Sequence, residues 1–254
     1  MNPDETKARL REALRRRYES RQHKGAALAE PDLTGELERV DAADRGLLLS
    51  LTEDLLDELD REDPTAAAEV NHALHLLFEF FQIRDIAEVR PVVERAVLHP
   101  GFRQKARYLQ LLEEFADERS APVLVEVLAH NRGSSEDDID TRVAALEALH
   151  LQPRPLADPD PVLAMFDDQS SRVRLAAMRY VWTHRVAEAG DLLVRRIAVE
   201  SDPDVLSLML ETIEQLGRVD ALPACEERLA RLDPALTDFI EPLQETIAVL
   251  RERR

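Results

Sequence analysis

The chain has 254 residues, 44% of them apolar but only 4% aromatic, with seven glycines and a formal net charge of −18. This length and apolar content permit one solenoid or two small domains. Few glycines and aromatics, with abundant Ala, Leu, Glu and Arg, disfavour a sheet-rich domain and predict a helical chain, and the negative charge argues against nucleic acid as the main ligand.

Residues 1–24 hold eight Lys/Arg against four Asp/Glu, leaving 25 against 47 for the rest. Ala8, Leu10, Ala13, Leu14 and Tyr18 recur there at helical spacing, which predicts a basic N-terminal helix able to dock on the acidic body of its own or a neighbouring chain. Gly25 and Pro31 predict a loop, hence a boundary before a domain spanning 32–254. Up to about residue 62 a short helix and a longer one are expected, the second with Leu47, Leu48, Leu51, Leu55 and Leu59 on one stripe.

After Asp63-Pro-Thr, helices are predicted over 66–81 and 86–98. Glu69, His72, His75 and Glu79 share a face of the first, and Glu-x-x-His spacing can ligate metal. No second such motif exists to complete a cage, so a solvated or packed face is the plainer reading. Helices over 102–115 and 121–129 follow, then a polar loop at 131–138. Further pairs are predicted at 140–150 with a short helix ending near 167, at 171–184 with 187–199, and at 203–216 with 221–232, before a terminal helix over 235–253. Cys225, the only cysteine, excludes a disulfide within the chain and a four-cysteine metal site, and it reads as a core residue. No run approaches the roughly 18 apolar residues of a membrane span, and no apolar signal segment follows Met1, so a cytoplasmic protein with neither membrane contact nor cofactor is expected.

The later helices repeat. Val173 and Val205, Met178 and Leu210, and Leu146 and Met178 are each 32 residues apart, whereas Leu109 and Leu146 are separated by 37. The longer interval holds the polar loop, and insertions of this kind fall on one face of a repeat array. At Asp167-Asp-Gln-Ser-Ser-Arg-Val-Arg-Leu-Ala-Ala-Met178, and again at Asp140-Thr-Arg-Val-Ala-Ala-Leu146, the chain resembles the HEAT repeat family, particularly short bacterial HEAT-like repeats. The copy at Asp202-Pro-Asp-Val205 has Leu206 where Arg174 stands, and copies before residue 130 agree only in apolar spacing. The resemblance covers residues 100–232. It implies an all-α, right-handed α-solenoid of antiparallel HEAT-like helix pairs with an N-terminal helical extension, the second helices lining a concave face. Arg172 and Arg174 then read as braces between repeats acting through Asp167 or Asp168, and Trp182 as a packing anchor.

HEAT-type iron hydroxylases rely on His-Glu dipeptides, which are absent, and HEAT-like glycosylases need a basic groove that this acidic chain does not offer. A bilin-lyase-like, cofactor-handling protein is the alternative that resemblance leaves open; bound pigment or stoichiometric metal would identify it. The favoured expectation is a non-enzymatic, monomeric module that binds a basic protein as an adaptor, inhibitor or immunity-type protein. Aligned by their apolar stripes, the second helices leave an outward ladder of Glu94, Glu126, Arg195 and Glu227. The acidic run supplies Asp137, Asp138 and Asp140 as further contact candidates but lacks the glycine and closing glutamate of a calcium-binding loop. For each of these residues the ordinary alternative is a solvated surface.

Overall fold

A computed structural model of the chain describes residues 2–22, 32–59, 63–83, 87–114 and 118–254. Among them are 14 α-helices, five short 3₁₀ turns and no strand, so the protein is all-α. The predicted loop after the first helix, at 23–31, lies outside the described residues. The chain divides into two compact units, residues 1–111 and 112–254.

The first unit contains α1 (Pro3–Gln22), α2 (Leu33–Ala43), α3 (Arg45–Asp57), α4 (Pro64–Ile83) and α5 (Arg90–Leu98), and α6 (Lys105–Glu114) runs through the division. Asp44 ends α2 and caps α3, accepting from the Leu47 N–H at 3.2 Å and so satisfying a donor that the first turn leaves open. The leucine stripe of α3 is buried, with Leu48 and Leu51 fully enclosed. The basic helix α1 packs on α2, α3 and α4 of its own chain. Leu10 and Leu14 enter the core, Lys7 donates to Asp54 at 2.7 Å, and Arg11 pairs with Glu58.

The second unit contains α7 (Ala121–His130), α8 (Glu136–His150), α9 (Asp160–Leu163), α10 (Ser171–His184), α11 (Gly190–Arg196), α12 (Pro203–Gln215), α13 (Leu222–Arg231) and α14 (Thr237–Glu252). α10 packs between α8 and α12, and α12 also against α14; α7, α11 and α13 pack on α8, α12 and α14. The repeated apolar positions make these contacts. Leu146, Val173, Met178, Val205 and Leu210 are all at most 1% exposed. Such interlocked burial stabilises each large side chain by roughly 1.5–3 kcal/mol relative to water. Cys225 is buried too, and burial pushes its thiol up to about 11.

Two expectations need adjustment here. α8 starts at Glu136, four residues earlier than predicted, because Ser135 caps it from outside and Glu136, Asp137 and Asp138 all sit at the positive end of the helix dipole. The polar loop is correspondingly short. Trp182 is 42% exposed rather than enclosed, and the buried arc of α10 carries Val173, Ala177, Tyr180 and Val181.

The motif arginines tie neighbouring helices together: Arg174 does reach Asp168, through its backbone carbonyl, but its carboxylate partner is Glu200. Arg174 is buried and donates from Nε and Nη2 to both oxygens of Glu200, at 3.0 and 2.6 Å, and from Nη1 to the carbonyls of Asp168 and Gln169. Burial raises the Glu200 carboxyl, but Arg174 and the N–H groups of Ser201 and Asp202 outweigh it, and the net shift is downward. Arg142, 32 residues before Arg174, repeats the arrangement with Asp168 at 3.2 Å and the Asn131 carbonyl at 2.5 Å. Asp167 instead receives Arg196 at 2.9 Å. On the exposed side, Arg172 reaches Asp140 and Arg179 reaches Glu147, each across 32 residues.

Candidate functional site

The acidic run at the start of α8 is partly consumed by the fold. Arg172 donates to Glu136 at 3.2 Å and to Asp140 at 2.6 Å. The Ser135 hydroxyl donates to the Asp138 carboxylate at 2.5 Å while its oxygen accepts the Asp138 N–H. Asp137 is exposed, and among the described residues its carboxylate has no side-chain partner. The three candidate aspartates therefore share two helical turns, with Asp137 the freest to meet another molecule.

Of the outward ladder, Glu126 on α7, Arg195 on α11 and Glu227 on α13 are exposed in the second unit. Arg195 and Glu227 each follow by two positions a fully buried residue, Leu193 and Cys225, and a step of two residues turns a helix by roughly 200°. That rotation puts them outside. Glu227 is paired with Arg231 one turn on, and Glu126 lies 3.9 Å from His130. Glu94 is half-buried on α5, in the first unit. The candidates thus sit on five helices, the three aspartates together on α8. Exposed carboxylates so spread can attract and orient a cationic surface; they hold no shared proton and no common substrate atom.

The histidine face of α4 is engaged in packing. His75 Nδ1 lies 2.5 Å from the Tyr108 hydroxyl, with the two rings stacked at 5.3 Å, and Phe78 and Phe102 enclose them. Burial, with the Arg107 and His72 charges, lowers His75 to about 4, and burial raises Tyr108. The pair is therefore neutral near pH 7. Glu79 pairs with Arg107 at 2.9 Å, and the His72 ring lies 5.6 Å from that of Tyr18. Among the described residues no three His, Cys, Asp or Glu side chains converge as metal ligands.

A feature that pattern reading missed is a hollow of about 430 Å³ in the second unit, walled by Pro122, Val125, Leu149, Leu156 and Pro161, with Gln152 in its lining. The four prolines between 153 and 161 were its only sequence signal, since they make a stiff connection that cannot collapse onto the helices. Among the described residues no helix is long and apolar enough to cross a membrane. Comparison with known protein families, curated proteins and solved structures finds no match.

Proposed function

We propose that the chain is a non-enzymatic protein-binding module and that its second unit is a HEAT-like α-solenoid segment. The succession α8, α10, α12 and α14, each packed on the next, supports the solenoid reading, as do two side-chain links that each span 32 residues. The observation that carries the binding reading is the exposure of Glu126, Asp137 and Glu227 on separate helices of a chain with net charge −18. A fixed array of carboxylates on rigid helices steers a basic protein into contact and orients it, and the attraction weakens with salt.

The test is affinity capture from the native extract, identification by mass spectrometry, and measurement of binding by the purified partner. The expected partner is basic, its association slows steeply between about 50 and 500 mM salt, and Glu126→Lys, Asp137→Lys and Glu227→Lys combined lower affinity by roughly tenfold or more. An acidic or neutral partner, or an affinity indifferent to both salt and charge reversal, would reject the proposal.

A further inference from the structure

We propose that the outward side of α10 and α12 receives an arginine-bearing segment of a basic protein, with Trp182 at the centre of the contact. This surface deepens the binding reading, on which it rests for the sign of the partner, and it lies on helices other than α7 and α13, which carry Glu126 and Glu227.

Trp182 is the only tryptophan of the chain, is 42% exposed, and among the described residues has no ring or cation stacked on it. Tryptophans are enriched where proteins bind one another. The register of the helices fixes its surroundings. Arg172 on Asp140 and Arg179 on Glu147 align α10 with α8. Leu151, 50% exposed, lies one turn beyond Glu147, as Trp182 lies one turn beyond Arg179, so the two exposed apolar side chains end neighbouring ridges. On the other flank the Ser171 hydroxyl bonds the Asp202 carboxylate, and α10 and α12 pack together from there and so run parallel. Counted on from that bond, Glu211 comes level with Arg179 and Glu214 with Trp182, to within a residue.

The sign of the surface follows from which charges are already engaged. Arg172 and Arg179 are held by the α8 carboxylates, and Arg253 donates to the Glu214 backbone carbonyl at 2.5 Å. Arg185, three residues past Trp182, is the remaining cation. Against it stand Asp204 and Glu211, exposed about two turns apart on α12 with no side-chain partner among the described residues. Glu214, half-buried, engages one oxygen with the Thr246 hydroxyl at 2.6 Å. The excess is negative, beside an open indole. A guanidinium fits both parts: its plane stacks on the ring face, which attracts cations, while its N–H fork reaches a carboxylate.

The experiment uses the full chain and the acetylated peptide Gly-Arg-Gly-Arg-Gly, with a citrulline counterpart that keeps the shape and loses the charge. With one tryptophan in the chain, acrylamide quenching of its emission reads this surface alone. The arginine peptide is expected to protect Trp182 saturably, and the citrulline peptide to bind about fivefold more weakly. Glu211→Gln, and Trp182→Leu read by anisotropy of the fluorescein-labelled arginine peptide, should each weaken binding by about threefold. Equal binding of the two peptides, binding that leaves Trp182 as quenchable as before, or undiminished affinity in both variants would each overturn the proposal. If Trp182→Leu fails to fold, the quenching comparison on the native chain decides alone. Failure here beside a captured basic partner overturns this contact and leaves the binding reading standing; an acidic or neutral captured partner overturns both.

Discussion

Each unit is held together internally by polar contacts, and the two sets are organised differently. In the first, α1 is fastened by Lys7 to Asp54 and by Arg11 to Glu58, and the centre is a single aromatic node around Tyr108. None of these contacts recurs. In the second, the same contact appears twice: Arg142 reaches Asp168 and Arg174 reaches Glu200, each 26 residues ahead. One repeat further on, both partners change together, to Leu206 and Leu232. A buried guanidinium without its carboxylate, or the reverse, is the costly state, so the pair is kept or replaced as a unit.

Breaking that unit should give the largest effect. The Arg174 and Glu200 side chains are 8% and 1% exposed, so Arg174→Leu removes the bidentate partner of an enclosed carboxylate, leaves it only Arg196 at 3.5 Å, and should destabilise the protein by about 3 kcal/mol. The double variant Arg174→Leu/Glu200→Leu copies the residues found one repeat later and should recover most of that loss. Urea denaturation of the three proteins checks both statements. A double variant no better than the single one would show that backbone contacts to Asp168 and Gln169, not the charge pair, hold this turn.

The node of the first unit should respond less, but with a distinctive pH dependence. Tyr108→Phe removes the hydroxyl from a buried His75 Nδ1 and should cost about 1–3 kcal/mol. Because folding lowers His75 from 6.5 to about 4, the unfolded chain takes up a proton there at a pH where the folded protein does not. Its contribution to stability is therefore intact above 6.5 and is lost as the pH falls toward 4. His72 and His184 shift in the same direction. His75→Gln keeps a hydrogen-bonding group near Tyr108 but does not titrate, so the stability difference between the native and variant proteins should shrink on going from pH 7 to pH 4.5. A constant difference would show that His75 titrates alike in both states.

The contrast also explains what was legible in the sequence. Helices with recurring apolar positions were placed closely: α10 was read as 171–184 and runs over Ser171–His184, and Leu146, Met178 and Leu210 are all buried. The carboxylates opposite Arg142 and Arg174 were not found, because apolar spacing reports which face is inward and says nothing of which charge crosses to the next pair. The 26-residue offset shared by the two pairs was available as a signal. Tyr108 as the partner of His75 had no such second copy. Of the candidate surface, outward direction was readable for Glu126, Arg195 and Glu227, whereas the engagement of Asp138 in a helix cap and of Asp140 with Arg172 depends on where α8 begins.

The smallest effects should come from exposed pairs in either unit, and here the two units should behave alike. Arg172 is 55% and Asp140 46% exposed; Lys7 is 20% and Asp54 42% exposed. Water screens both pairs, and holding long side chains in place costs entropy, so Arg172→Ala and Lys7→Ala should each cost only about 0.2–1 kcal/mol. Both losses should diminish in high salt, whereas the loss from Arg174→Leu should persist, since ions do not enter the enclosed site. Denaturation at low and high salt separates the classes. If Arg172→Ala proved as damaging as Arg174→Leu, the 32-residue rung on the exposed side would be a principal support of the stack, and the Glu136 and Asp140 carboxylates would be bound to the fold rather than open to a partner.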